Sequence, residues 1–142
     1  MAKATVLIVE DNPDISDSLA DAFRFADFTP LQAPNAIHAL QLASENHPDL
    51  IVMDIQLPDL DGLSVAETLK SDPATAGIPV VAMTAYEIVG EQARRLTRHC
   101  VGYAQKPVRP RDLINLVTAI LKVKTESKPL PRRDPLARAS RK

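Results

Sequence analysis

A doubly wound α/β fold is predicted, with five strand–helix units forming a parallel sheet that carries helices on both faces. Three observations predict it. Short, nearly uninterrupted apolar runs occur at residues 5–9, 50–53 and 78–83, the pattern of strands buried on both faces. Between them lie stretches with apolar residues at helical spacing. No hairpin signal separates any two strands, and strict strand–helix alternation implies parallel pairing with right-handed crossovers.

The first strand, 5–9, runs into Glu10-Asp11-Asn12-Pro13. Asp11 or Asn12 can cap a helix, and Pro13 suits its first turn. Ile15, Leu19, Ala22, Phe23 and Ala26 then fall on one stripe. Residues 28–32 form a weak second strand. Pro30 has no N–H for a ladder, so this strand belongs at a sheet edge or around a break in pairing. Asn35 caps the second helix, with Ala36, Ala39, Leu40 and Ala43 facing inward, and His47-Pro48-Asp49 ends it. The central strand, Leu50-Ile51-Val52-Met53-Asp54, stops at a carboxylate and meets the turn Gln56-Leu57-Pro58-Asp59-Leu60-Asp61-Gly62. Leu63, Ala66 and Leu69 mark a third helix, and the fourth strand ends in Thr84. A fourth helix over 87–98 has Val89, Ala93 and Leu96 as its stripe, and Arg94, Arg95 and Arg98 read as a solvated face. Residues 101–104 form a short fifth strand, followed by Gln105-Lys106-Pro107. The last helix starts near Pro110, with Leu113, Leu116, Val117, Ile120 and Leu121 inward.

The 142 residues are 45% hydrophobic, enough for one domain with a real core. We place that domain at 1–122 and expect 123–142 to be a disordered basic tail, since it has no periodic apolar face and contains Pro129, Pro131 and Pro135. No apolar run approaches the roughly 20 residues of a membrane span, and no signal-peptide core follows Met1. Cys100 is the sole cysteine, too few for a disulfide or a zinc site. A cytoplasmic protein is expected. Residues 122–142 carry eight basic and two acidic side chains, against nine and sixteen in the rest. An acidic body with a basic tail argues for salt-sensitive contacts. No recognition helix for sequence-specific DNA binding is evident.

In open α/β sheets, ligands bind at the carboxyl ends of the strands. Alone, Asp54 would serve equally well as a turn residue. Its neighbours at the same rim decide otherwise. The first strand delivers Glu10 and Asp11, the fourth Thr84, the fifth Lys106. Converging carboxylates repel unless a cation neutralises them, and hard oxygen donors suit Mg²⁺. An ammonium and a hydroxyl beside a carboxylate can hold a phosphoryl group, with Asp54 as nucleophile.

The chain resembles the response-regulator receiver domains (CheY-like) of two-component phosphorelay signalling. The resemblance covers about residues 4–122 and rests on Val-Glu-Asp-Asn at 9–12, Met-Asp-Ile-Gln-Leu-Pro-Asp-Leu-Asp-Gly at 53–62, Met-Thr-Ala at 83–85 and Tyr-Ala-Gln-Lys-Pro at 103–107. It implies a flavodoxin-like sheet of strand order 2-1-3-4-5 and a stand-alone regulator rather than an enzyme. Asp54 is then the phosphoacceptor, served by a sensor histidine kinase or a histidine phosphotransfer protein. Glu10, Asp11, Asp54 and the Gln56 carbonyl form the Mg²⁺ site. Thr84 and Lys106 sense phosphate, Tyr103 is the switch aromatic, and Lys106-Pro107 is a cis peptide. Gln56 and Tyr86 occupy the positions that tune phosphate lifetime. Helix four, strand five and helix five form the face offered to a downstream protein. His99-Cys100 departs from the small Gly-Ala pair common before the fifth strand. Two other readings stand behind this one. A dehalogenase-type phosphohydrolase would need a second Asp where Gln56 stands. A receiver-like scaffold that is never phosphorylated would not need the complete set of rim residues.

Overall fold

The computed structural model describes residues 3–85 and 87–127. The order of elements is β1 (Thr5–Val9), α1 (Pro13–Phe25), β2 (Thr29–Ala33), α2 (Ala36–Asn46), β3 (Leu50–Asp54), α3 (Gly62–Ser71), β4 (Val80–Thr84), α4 (Gly90–His99), β5 (Gly102–Gln105) and α5 (Pro110–Ser127). All strand pairs are parallel, in the order β2-β1-β3-β4-β5. The predicted fold class is therefore the one observed. Pro30 pairs through β2 with β1 at the sheet edge, where its missing N–H costs no ladder bond.

Period-two alternation divides the core into two layers. Val6, Ile8, Leu50, Val52, Val81 and Met83 pack with Leu19 and Phe23 of α1 and Leu113 and Val117 of α5. Leu7, Val9, Ile51, Met53, Val80 and Ala82 pack on the other face against α2, α3 and Leu96 of α4. Every residue of β3 and of β4 is buried. Burying one such side chain contributes about 1.5–3 kcal/mol, so β3 and β4, which end in Asp54 and Thr84, are the most firmly held.

Three predicted details change. On α1 the buried stripe is Ser16, Leu19, Ala20 and Phe23, while Ile15 is exposed. Asn12 is the N-cap, accepting from the N–H groups of Asp14 and Ile15, and this start sets which helical positions face the sheet. In α4 only Leu96 of the predicted stripe is buried; Val89 precedes the helix and is exposed. α5 continues to Ser127, past the boundary placed at 122. Lys124 and Glu126 are good helix formers, and the next proline is Pro129. The rest of the predicted tail, 128–142, lies outside the described residues, as does Tyr86.

The start of α2 is capped from a distance. Asn35 accepts the N–H of His38, while the Asp59 carboxylate accepts those of Ala36 at 2.9 Å and Ile37 at 3.1 Å. These N–H groups have no partner within the helix. The bond from Ala36 is the main reason that the Asp59 pKa lies below its ordinary value. A depressed folded-state pKa stabilises above the unfolded value of about 3.9 and ceases to do so as pH falls through the folded value. Asp59→Ala is therefore expected to lower the melting temperature at neutral pH. The gap from the wild type should narrow as melts are repeated at pH values below the unfolded pKa of about 3.9.

Candidate functional site

Asp54 is the last residue of β3 and only 3% exposed. The chain then folds back over the strand end. The N–H of Gly62 donates to the carbonyl of Ile55 at 2.6 Å. A Cβ at position 62 would lie 2.5 Å from the Asp54 carbonyl oxygen and 2.7 Å from the Ile55 Cα, so only glycine lets the backbone pass this closely. The returning loop, 55–61, forms one wall of the site.

Lys106 reaches the site from the end of β5. Its N–H donates to the Thr84 carbonyl at 2.7 Å, and the peptide bond to Pro107 is cis. Its Nζ donates to Asp54 Oδ2 at 2.7 Å and to Glu10 Oε1 at 3.0 Å. Glu10, 2% exposed, takes a second bond at Oε2 from the N–H of Asn12. Asp54 Oδ1 accepts the N–H of Gln56 at 2.9 Å. One ammonium thus joins the ends of β1, β3 and β5.

Burial pushes the Glu10 carboxyl above the ordinary glutamate value, even though the Asn12 N–H and Lys106 both favour its charged form. Burial works against the charge of Lys106 too. There the bonds to Asp54 and Glu10, with their negative charges, more than offset it, and the lysine pKa is raised. Asp11, exposed, completes an acidic group in which one oxygen each from Glu10, Asp11 and Asp54 lies within 4.8 Å of the others. Three carboxylates facing the Lys106 ammonium leave an excess of negative charge, and an all-oxygen donor set with one solvent-exposed member suits Mg²⁺.

Of the other predicted site residues, Thr84 is buried at the end of β4. With Gln56, Leu57, Asp61, Ile88 and Gln92 it lines a cleft of about 420 Å³ beside the loop. Tyr103 lies on β5 and is 57% exposed. Tyr86 cannot be placed, being outside the described residues. Cys100 is buried in the core, and burial raises its thiol pKa to about 11, which leaves it protonated and inert at neutral pH.

Sequence reasoning missed the residues that hold the loop. Asp59 ties it to α2, and Asp61 caps α3 through the N–H of Leu63. Arg95 comes within 3.4 Å of Asp61 and pairs with Glu67, so it does not belong to the solvated face to which it was assigned. Arg95 and Glu67 lie 28 positions apart, and no local pattern signals such a pair.

A five-stranded parallel sheet of this order, with an acidic cluster and a lysine at its carboxyl rim, defines a receiver domain of two-component signalling. The chain belongs to that family: the model for the response regulator receiver domain matches residues 6–118. It is 37% identical over 117 residues to the polar-differentiation response regulators DivK of Brucella ovis and Brucella anthropi, covering 82% of this chain and 95% of theirs. Among solved structures it resembles a CheY-like receiver domain protein from Methanospirillum hungatei JF-1, with a TM-score of 0.82 and 25% identity over 88% of this chain and 98% of that one. A putative response regulator from Chloroflexus aurantiacus J-10-fl is similar too, with a TM-score of 0.77 and 28% identity over 84% and 98%.

Removing the ammonium leaves two buried carboxylates with one fewer donor each. Lys106→Met is expected to cost about 2 kcal/mol of stability. The cost should be smaller in an Asp54→Asn background, where one charge is already gone, with a coupling of about 1 kcal/mol. Urea denaturation of the four proteins closes this double-mutant cycle.

Proposed function

We propose that Asp54 accepts a phosphoryl group from a phosphohistidine on a sensor histidine kinase or histidine phosphotransfer protein. The phosphorylated domain then signals in the cytoplasm by docking on a downstream protein. The observation that carries this reading is the Lys106 ammonium, 2.7 Å from a buried Asp54 carboxylate at the rim of the sheet. In the transfer, an oxygen lone pair of Asp54 forms the P–O bond while the P–N bond to the donor imidazole breaks. The bonding pair returns to the ring nitrogen. Lys106 and the Thr84 hydroxyl bind phosphoryl oxygens and stabilise their charge. Asp11, Asp54, Glu10 and the Gln56 carbonyl would hold Mg²⁺, which when bound neutralises the charge gathered in the transition state.

A phosphoryl group that engages Thr84 draws the end of β4 toward Asp54, and Tyr103 moves inward from its exposed position. The face formed by α4, β5 and α5 changes as a result. Exposed Val89, Val101 and Tyr103 support it as the docking face for a downstream protein. Gln56, at the mouth of the cleft, and Tyr86 set how readily water reaches the phosphoryl group. Among the described residues no helix is long and apolar enough to cross a membrane.

Acetyl phosphate with Mg²⁺ is expected to add one phosphoryl group to the wild type and none to Asp54→Asn, read by intact-protein mass spectrometry. A phosphorylated Asp54→Asn protein would refute the assignment. Asp11→Ala is expected to weaken Mg²⁺ binding at least tenfold in titration calorimetry, about one decade being typical for loss of a charged ligand or its support, and to slow phosphorylation in parallel.

A further inference from the structure

α4 is held to the domain differently from its neighbours. It buries one residue, Leu96, where α3 buries five. Its N-cap, Val89, makes no side-chain cap bond, and Gly90 opens it in the left-handed region at φ +63°. Arg95 ties α4 to α3 and to the loop before it. Its Nε donates to Glu67 Oε2 at 2.7 Å, and one terminal nitrogen donates to Glu67 Oε1 at 3.1 Å and to Ser64 Oγ at 3.3 Å. The other terminal nitrogen lies 3.4 Å from Asp61 Oδ2. His99 Nε2 is 3.7 Å from the same Glu67 carboxylate. The Arg95 side chain is 24% exposed, so the fork is partly shielded from water. Its bidentate geometry makes it stronger than an ordinary surface pair.

The fork connects two things that matter to the rim. Asp61 ends the loop that starts just after Asp54, and it bridges back to Gln56. At its other end, α4 is attached to Thr84 through residues 85–89. We propose that Arg95 is a latch: in the unphosphorylated domain it holds α4 against α3 and against the phosphoacceptor loop, and it opposes the arrangement that a phosphoryl group favours. This rests on the roles given above to Asp54 and Thr84. A phosphoryl group that draws in Thr84 pulls the connection to α4. Since α4 has little apolar anchorage, the fork sets the main resistance to its movement. A ligand shifts such an equilibrium only by its differential affinity for the two arrangements. Weakening the unphosphorylated arrangement raises the fraction competent to bind and so tightens binding of a phosphoryl mimic by up to the same factor.

The test compares the wild type, Arg95→Met, Glu67→Gln and Arg94→Met. Arg94 pairs at 3.0 Å with Glu91 of its own helix, so Arg94→Met removes the same charge without cutting a tie between helices. Hydrogen exchange is measured first, without any phosphoryl mimic. Exchange in residues 90–99 is expected to accelerate in Arg95→Met and Glu67→Gln but not in Arg94→Met. Beryllofluoride binding with Mg²⁺ is then measured by calorimetry. Affinity is expected to rise about threefold to tenfold in the two latch variants, the range expected for losing one shielded ion pair, and to stay level in Arg94→Met. A residue of purely structural importance would lower affinity or leave it alone. Unchanged exchange in both latch variants overturns the proposal. So does faster exchange with unimproved affinity, provided the wild type binds beryllofluoride. A wild type that fails to bind beryllofluoride refutes the phosphorylation reading instead, and the latch is then decided by exchange alone.

Discussion

One ammonium between two buried carboxylates ties the carboxyl ends of three strands together. Lys106 follows β5, Asp54 ends β3 and Glu10 follows β1. Burial disfavours the charges of Glu10 and Lys106 in that position, and the bonds that join them to each other and to Asp54 oppose it. Together they are stable, and the geometry that satisfies them also presents a carboxylate, an ammonium and a cluster of acidic oxygens to one opening. The sheet makes this possible. Fully buried β3 and β4 fix their last residues far more firmly than a loop could.

The loop after Asp54 is restrained at each end and in the middle. Gly62 allows it to lie on the strand terminus. Asp59 hands two carboxylate oxygens to the start of α2. Asp61 caps α3 and faces Arg95 of α4. A short acidic turn thereby connects Asp54 to three helices through hydrogen bonds and ion pairs. Such contacts break and re-form at little cost in packing, unlike apolar interdigitation.

That contrast separates the rigid part of the domain from the adjustable part. α1, α2, α3 and α5 are seated by apolar layers on the two sheet faces, whereas α4 contributes a single buried leucine and a polar fork. Elements with few buried apolar contacts open at lower free energy than the core. The element closest to Thr84 along the chain is therefore also the one best able to move.

The sequence by itself determined the strands, their parallel pairing and the residues at their carboxyl ends. Burial on both faces leaves an unbroken apolar run, and a run that stops at Asp54 marks a strand end whatever lies around it. Pro30 limited β2 to a sheet edge or a break in pairing, because a missing N–H is a local fact. Asn35 as a cap was equally local, as was the choice between Asp11 and Asn12 for α1, which the structure settles on Asn12. The tertiary structure alone decided the exact facing of α1, where one residue of offset turns Ile15 outward and Ser16 inward. It alone brought Asp59 to α2 and Arg95 to Glu67, pairs 23 and 28 residues apart. An exposed arginine and one anchored to a distant glutamate have the same neighbours in sequence. Only the packing of α3 against α4 distinguishes them, because ion pairing depends on distance in space and leaves no period in the chain.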